Sequence, residues 1–463
     1  MRHCSGCSAE QDSYFDRHDA NFVNKRLYQT NALLNLAGGA SSACMVLILP
    51  YLLNRLLSQQ DYAIWALGFQ AVVYVPMLGL GIHQILNRTI AHSLALGDLN
   101  QLQRQLGSGF LLVLLLALIA GILVWVSSPY IGILSGASSG AEEQIGVVWR
   151  TIGTGVSVGL LSLFFFGCFG GQQRYEWENA YKALIALGFL AVVWWADSQA
   201  IALTPLALAL AYVMVIGAAL TLLVWRFVYS DAFSVQMLKQ WHFPTLKSYL
   251  RSMYGYGIWQ IGILMVSGLD LWIVARVNFA AVPGYAIALS FLVFLTGSIG
   301  AIAGPCLPLF ASLLAKADHS AFAAYFLVWQ KRLLVLMAVL CSLLWFTPNI
   351  FWQFLLQDSA PIFIQVFPIL LLASCLRSIT LLYSLAILSA NLQHRIVLSP
   401  LVEGLVNVAC SVLLGLYIGV IGVALGTVLG ALVCLALHAL YNIPRTADKI
   451  PLTPKALIAP WTV

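Results

Sequence analysis

The chain is built from long, uninterrupted apolar runs, and this settles what solvent it folds in. Runs of roughly 20 residues recur from residue 31 to residue 441, long enough to cross a hydrocarbon layer of about 30 Å at about 1.5 Å per helical residue. Inside that layer every backbone amide must be paired within its own segment or around a closed barrel. The runs are continuous rather than alternating segments of about ten residues, so helices satisfy the requirement and a barrel does not. Charged residues make up 9% of the chain, against about 25% in a soluble domain, too few to cover a water-exposed globule. The pattern predicts an all-α polytopic membrane protein. Its spans lie near residues 31–55, 62–86, 108–127, 148–169, 181–196, 203–226, 254–275, 284–307, 333–347, 362–388, 397–416 and 419–441.

Lysine and arginine placement sets the direction of these twelve spans. With both termini cytoplasmic, 19 of the 23 basic residues fall in inner segments; Arg55 and Arg276 fall outside, and Arg150 and Arg377 lie within or at the edge of spans. An inner excess of this kind is what membrane insertion produces, and eleven spans or a reversed orientation scatters it. The net charge of +6 therefore belongs to inner loops and gives no reason to expect a nucleic-acid partner. The outer connections are short, the longest being about 128–147 with Glu142 and Glu143. The longest inner connection, about 227–253, sits at the middle of the chain. The organisation that follows is an inner tail (1–26), an N-terminal six-helix lobe (27–226), a linker (227–253), a C-terminal six-helix lobe (254–443) and a second inner tail (444–463). No apolar core precedes a small-residue cleavage site in the first tail, so the first span reads as its own insertion signal.

The two halves echo each other. Tyr62-Ala63-Ile64 recurs as Tyr285-Ala286-Ile287, and the segment from Ala91 to Asp98 recurs, more loosely, from Ala311 to Asp318, at offsets of 223 and 220. Six spans per half is an even number, so the repeats run parallel, related by an axis along the membrane normal. Transporters are commonly built this way, with the substrate site between the repeats.

Ionisable side chains within spans are costly, and they usually face a cavity or a partner. Asp270 ends a stripe of three- to four-residue spacing through Tyr256, Gln260, Ile263 and Ser267, which places these residues on one helix face. It reads either as a functional carboxylate or as half of an ion pair with Arg377. Arg377, flanked by Ser374 and Ser378, is the best candidate for gripping an anionic group, because a guanidinium stays charged and binds phosphate or carboxylate bidentately; the competing reading pairs it with Asp270 or Glu403. Ser399, Glu403, Asn407 and Ser411 recur at four-residue spacing and draw a polar face on the eleventh span. Glu403 there either exchanges a proton from a wet interior or sits at the headgroup level. Asn35 lies on a polar face of the first span with Asn31, Gly38 and Ser42. Arg88, near the inner end of the second span, suits lipid headgroups better than a substrate phosphate. Gly422, Gly426 and Gly430 form a small-residue ridge of the kind that lets helices approach closely.

Other chemistries find no footing. Seven of the nine cysteines lie in apolar stretches, where cysteine acts as a small hydrophobe. The pair Cys4 and Cys7 reads as part of a disordered polar tail rather than a metal or redox site. There is no phosphate-cradling loop, no HExxH and no metal-spaced His/Cys cluster, so no cofactor, metal or enzymatic reaction is expected.

The stretch "LPYLLNRLLSQQDYAIWAL" followed by "LGLGIHQILNRTIAHSLALGD", with Asp61-Tyr62 after the first span and Arg88…Ala91 closing the second, resembles the polysaccharide-transporter branch of the multidrug/oligosaccharidyl-lipid/polysaccharide (MOP) superfamily. "GLDLWIVARVNFAAVPGYAIALSF", which contains Asp270 and Gly284-Tyr285, resembles that branch's seventh and eighth spans; Ala63 stands where the pattern usually has Gly. The resemblance implies a flippase in a bacterial inner membrane that rocks two lobes to pass a lipid-linked oligosaccharide. Membrane lipids and other surface-polysaccharide assembly proteins are its implied partners. The sugar–pyrophosphate head is too polar to cross hydrocarbon unaided. The alternative within the same fold is a cation-coupled drug or metabolite exporter. Proton-coupled exporters of that kind carry an acidic residue in the first span, and residues 31–54 contain none. A membrane polymerase or ligase is disfavoured by the short outer loops, and a scaffold without transport by the cost of the buried charges.

Overall fold

The computed structural model of the chain describes residues 38, 39, 41, 45–172, 174–199, 201–228 and 240–462. It is all-helical, 87% helix with no strand among the described residues. Among the described residues, twelve long or apolar helical segments follow one another: α1 (Met45–Leu56), α2 (Gln59–Leu94), α3 (Leu99–Ser135), α4 (Ser139–Gly171), α5 (Glu176–Gln199), α6 (Leu203–Phe227), α7 (Phe243–Val277), α8 (Phe279–Ala303), α9 (His319–Trp345), α10 (Asn349–Ser389), α11 (Leu398–Ile418) and α12 (Val420–Thr446), with shorter helices at Cys306–Ala315, between α8 and α9, and at Pro454–Ile458. Of the twelve, those after α1 are each long and apolar enough to span a membrane, and α1 is the described part of the first predicted span. Each segment corresponds to one predicted span, in order.

The ends differ from the sequence expectation, because polar residues prolong a helix beyond the hydrocarbon without breaking it. The short fifth and ninth spans become full helices, α5 and α9. The outer connection expected at about 128–147 shrinks to the residues between Ser135 and Ser139. Ser127, Ser128 and Pro129 stay helical there: Ser128 Oγ donates to the Gly146 carbonyl at 2.8 Å, and Trp149 Nε1 donates to Ser127 Oγ at 3.1 Å. Lys247 and Arg251, expected in the linker, lie on the first turns of α7, which starts at Phe243. The C-terminal residues after α12 fold back: Leu452, Ala456 and Leu457 are buried, and Gln330 Nε2 of α9 donates to the Leu457 carbonyl at 3.0 Å. Asn35, Asn31, Ser42 and the Cys4–Cys7 pair lie outside the described residues.

The longer echo has one local geometry in both halves. At the end of α2, Gly97 takes a left-handed φ of 67°, and Asp98 then caps α3 by accepting from the Gln101 amide at 2.9 Å. At the corresponding turn, Ala317 takes φ 54°, and Asp318 caps α9 by accepting from the Ala321 amide at 3.0 Å. Backbone bonds close both turns alike: Asp98 N–H to Ser93 O at 3.1 Å and Asp318 N–H to Leu313 O at 3.0 Å. The repeat is therefore a C-cap joined directly to an N-cap.

Two bundles result. In the first, α3 packs on α4, α4 on α6, and α5 on α6; in the second, α11 packs on α12, α12 on α10, and α8 and α9 on α10. The α11–α12 contact is the tightest, because the glycine ridge removes the side chains that would separate the helices. A Cβ at Gly426 would fall on the Ser411 backbone, and one at Gly422 on the Leu414 carbonyl. Helix α7 straddles the bundles. Its first half packs on α11, yet Tyr249 OH donates to the Gln105 carbonyl of α3 at 3.3 Å.

Ala317 occupies a conformation that a Cβ disfavours by roughly 1–2 kcal/mol, and its exposed position leaves that cost uncompensated. Ala317→Gly, which restores the residue of the first half, is expected to raise stability by about 0.5–1 kcal/mol once the extra unfolded-state freedom of glycine is subtracted. Thermal unfolding in detergent reads this as a higher midpoint; a lower one contradicts the assignment.

Candidate functional site

The site is assembled around an interruption in α7. Its helix stops at Ser267 and restarts at Asp270, so Gly268 and Leu269 lie in a break within a membrane-spanning segment. Backbone groups freed in hydrocarbon need partners. The Gly268 carbonyl accepts from Tyr74 OH of α2, in the other bundle, and Trp272 Nε1 donates to the same hydroxyl at 2.9 Å. Tyr74 and Trp272 both pack against Trp149 of α4, at ring distances of 5.9 and 6.5 Å.

The restart places Asp270 at a helix N-terminus, where the backbone dipole favours a negative charge. The residue is 1% exposed. Its carboxylate accepts from Thr427 Oγ1 at 2.8 Å and from Asn407 Nδ2 at 3.3 Å. Asn407 Nδ2 also bonds the Met265 and Val266 carbonyls, each at 3.1 Å, which ties α11 to the turn before the break. Arg377 Nε on α10 donates to Glu403 Oε1 on α11 at 3.1 Å. Of the readings left open by the sequence, the structure gives Arg377 to Glu403 and gives Asp270 two neutral donors. Arg377 Nη2 is buried with no hydrogen-bond partner among the described residues.

A cavity of about 540 Å³ opens between the bundles. The first bundle lines it with an apolar and aromatic wall: Leu49, Leu53, Tyr62, Trp65, Phe69 and Val73. Gln70 of α2 adds an amide on that side, and the second bundle contributes apolar residues such as Leu271, Leu289 and Val293 together with most of the polar groups: Asp270, Ser290, Thr296, Ser374, Arg377 and Thr427. The shorter echo meets here, with Tyr62 on one side and Ala286 on the other. At the end that the charge bias assigns to the outside, a polar seam joins the bundles. Asn54 Nδ2 donates to the Leu356 carbonyl at 3.1 Å, and Ser359 Oγ donates to Asn54 Oδ1 at 2.5 Å and to Gln59 Oε1 at 3.0 Å.

The sequence candidates thus separate. Asp270, Asn407, Arg377 and Glu403 come together in the second bundle, and Asp270 and Arg377 reach the cavity wall. Gln260 is half-buried on α7 and is not among the lining residues; Arg88 is exposed and lies away from the cavity. Thr427, Tyr74, Trp272 and Gln70 belong to the site but were not singled out. Thr427 carried a faint signal, as a hydroxyl beside Gly426 in an otherwise apolar helix. The two aromatic residues and Gln70 carried none.

No family model matches the sequence, and no curated protein matches it. The fold does match solved structures. A multidrug resistance MATE family transporter of the MOP superfamily, in an inward-facing conformation, superposes with a TM-score of 0.74 at 15% identity, over 90% of this chain and 95% of that one. The Vibrio cholerae MATE transporter VcmN in its bent form gives 0.63 at 13% identity, over 92% and 97%. A MOP superfamily transporter from Pyrococcus furiosus, described as having a binding pocket of reversed polarity that suggests a different function, gives 0.60 at 13% identity, over 93% and 97%. The chain therefore has the MATE/MOP transporter fold. The narrower expectation of the polysaccharide branch finds no support among these neighbours.

Removing one member of a buried ion pair leaves the other uncompensated, at a cost of roughly 3–5 kcal/mol, whereas replacing both by apolar groups is often near neutral. Because the Arg377 side chain is 25% exposed, Arg377→Met is expected at or below the low end of that range, about 2–3 kcal/mol. The Arg377→Met/Glu403→Leu double variant should recover most of the loss. A double-mutant cycle in thermal unfolding measures the coupling; additive losses rule the pair out as a structural unit.

Proposed function

We propose that this chain is an alternating-access exporter of small amphipathic molecules, driven by uptake of one monovalent cation into the second bundle. The observation that carries the reading is the division of labour across the cavity. An apolar and aromatic wall faces the Asp270 carboxylate and the Arg377 guanidinium, while Glu403, which pairs with Arg377, is not among the lining residues. Asp270 and Glu403 against Arg377 leave one uncompensated negative charge in the interior. An unpaired charge in such surroundings is costly, so a proton or sodium ion that neutralises it stabilises whichever state holds it. A volume of about 540 Å³ falls within the roughly 300–1,000 Å³ of pockets for drug-sized ligands. The transporter fold of the structural neighbours supports the same reading.

The lipid-linked oligosaccharide reading keeps one observation in its favour, the unpartnered Nη2 of Arg377, which suits a phosphate oxygen. The mostly apolar lining and the neighbours both favour the exporter.

Transport in proteoliposomes under an imposed proton or sodium gradient tests the proposal. A fluorescent amphipathic dye should be exported only when a gradient is present. Asp270→Asn, which is neutral and close in shape, should abolish gradient-driven export while leaving dye binding within about threefold, a change of under 1 kcal/mol. Gradient-independent movement of an undecaprenyl-pyrophosphate sugar, with no dye export, would establish the flippase instead.

The seam at Asn54 and Ser359 must part in an alternating cycle. In a background without native cysteines, Asn54→Cys/Ser359→Cys should stop export when oxidised and regain it on reduction. Undiminished turnover of the crosslinked protein would mean that this end stays shut throughout.

A further inference from the structure

The cysteines read from sequence as small hydrophobes do not all behave as such. Cys341 on α9 and Cys375 on α10 bring their sulfurs to 2.8 Å. Both are half-buried free thiols, whereas Cys168, Cys306 and Cys434 are buried, and Cys410 is half-buried with no cysteine contact among the described residues. The two line a crevice of about 240 Å³ together with Ser342, Trp345, Phe346 and Leu371. Its rim is strongly exposed, Trp345 at 58%, Phe346 at 79% and Leu372 at 51%. On a membrane-spanning bundle such a surface meets acyl chains rather than water. The crevice lies on the far side of α10 from the cavity, which that helix lines with Ser374, Arg377 and Ser378, so the thiols take no part in the site described above.

We propose that Cys341 and Cys375 form an intramembrane dithiol that is converted to a disulfide by hydroperoxides dissolved in the lipid. The reaction balances in two steps. One thiol attacks the terminal peroxide oxygen; the O–O bond breaks, the alcohol leaves with a proton, and a sulfenic acid remains. The second thiol then attacks that sulfur, an S–S bond forms, and water leaves with the sulfenic oxygen and the remaining proton. The peroxide is reduced by two electrons and the two thiols are oxidised by two. A disulfide needs the sulfurs at about 2.05 Å, so closure takes under about 1 Å of movement. The neighbouring thiol is already in place to intercept the sulfenic acid, which favours the disulfide over higher oxidation states. Facing lipid, the crevice is open to a lipid-soluble oxidant and shielded from aqueous thiol reductants.

The test uses the full-length protein in lipid nanodiscs exposed to cumene hydroperoxide. Remaining thiols are blocked with N-ethylmaleimide, and the peptides are read by mass spectrometry. The expected product is a linked Cys341–Cys375 peptide pair, two hydrogens lighter than the reduced pair and reversed by a reductant after denaturation. Cys341→Ser should leave Cys375 to proceed to sulfinic acid, and Cys375→Ser should do the same to Cys341. Hydrogen peroxide at equal concentration should act more slowly than the lipid-soluble reagent. Full maleimide labelling of both thiols after treatment, or sulfinic acid at both positions in the unmodified sequence, overturns the proposal. Differential alkylation of the native protein gives the same answer should either variant fail to fold.

Discussion

Charge in hydrocarbon is the constraint around which this molecule is arranged. Asp270 is almost wholly buried in a spanning segment, and an isolated carboxylate there would be prohibitive. Three local features offset the cost: the break in α7 that puts Asp270 at a helix N-terminus, the hydroxyl of Thr427, and the amide of Asn407. The break frees the Gly268 carbonyl, and a tyrosine from the opposite bundle satisfies it. One buried charge therefore ties together α2, α7, α11 and α12, and links the interior of the second bundle to the interface between the bundles.

The repeat is parallel in backbone and divergent in chemistry. The capping turns at Asp98 and Asp318 show how closely the two halves keep a local geometry, even where Ala317 takes the place of glycine. At the cavity the halves part. The first supplies Trp65, Phe69 and their apolar neighbours, and the second supplies Asp270, Arg377 and the hydroxyls. The second also carries apolar lining, with Leu271, Leu289, Leu292 and Val293 among it, so its two charged groups are set into a largely apolar surface.

The spans were legible because the hydrocarbon layer imposes a length and a composition on any helix that crosses it. Their ends were not, since Ser127, Ser128 and Pro129 break the apolar signal without breaking the helix, and side-chain bonds to α4 hold them. The in-span charges stood out individually, and the polar stripe on α11 correctly put Glu403 and Asn407 on one face. What the stripe could not tell is which neighbour that face meets. Two residues four apart on α11 serve different partners, Glu403 bonding Arg377 of α10 and Asn407 bonding Asp270 of α7. Tyr74 was invisible because an isolated hydroxyl in an apolar span has no pattern around it, and Thr427 was marked only by its place beside Gly426.

By itself the sequence determined the solvent, the helical class, the number and order of the spans and the twofold plan, since each follows from local composition or spacing along one chain. Tertiary structure decided who pairs with whom. The partners of Asp270 and Arg377 come from helices distant in sequence, the cavity exists only where two bundles meet, and Cys341 and Cys375 become a pair only because α9 lies against α10. A helix face repeats every few residues and can be read from a string, whereas the neighbour across that face is set by how all twelve helices pack at once.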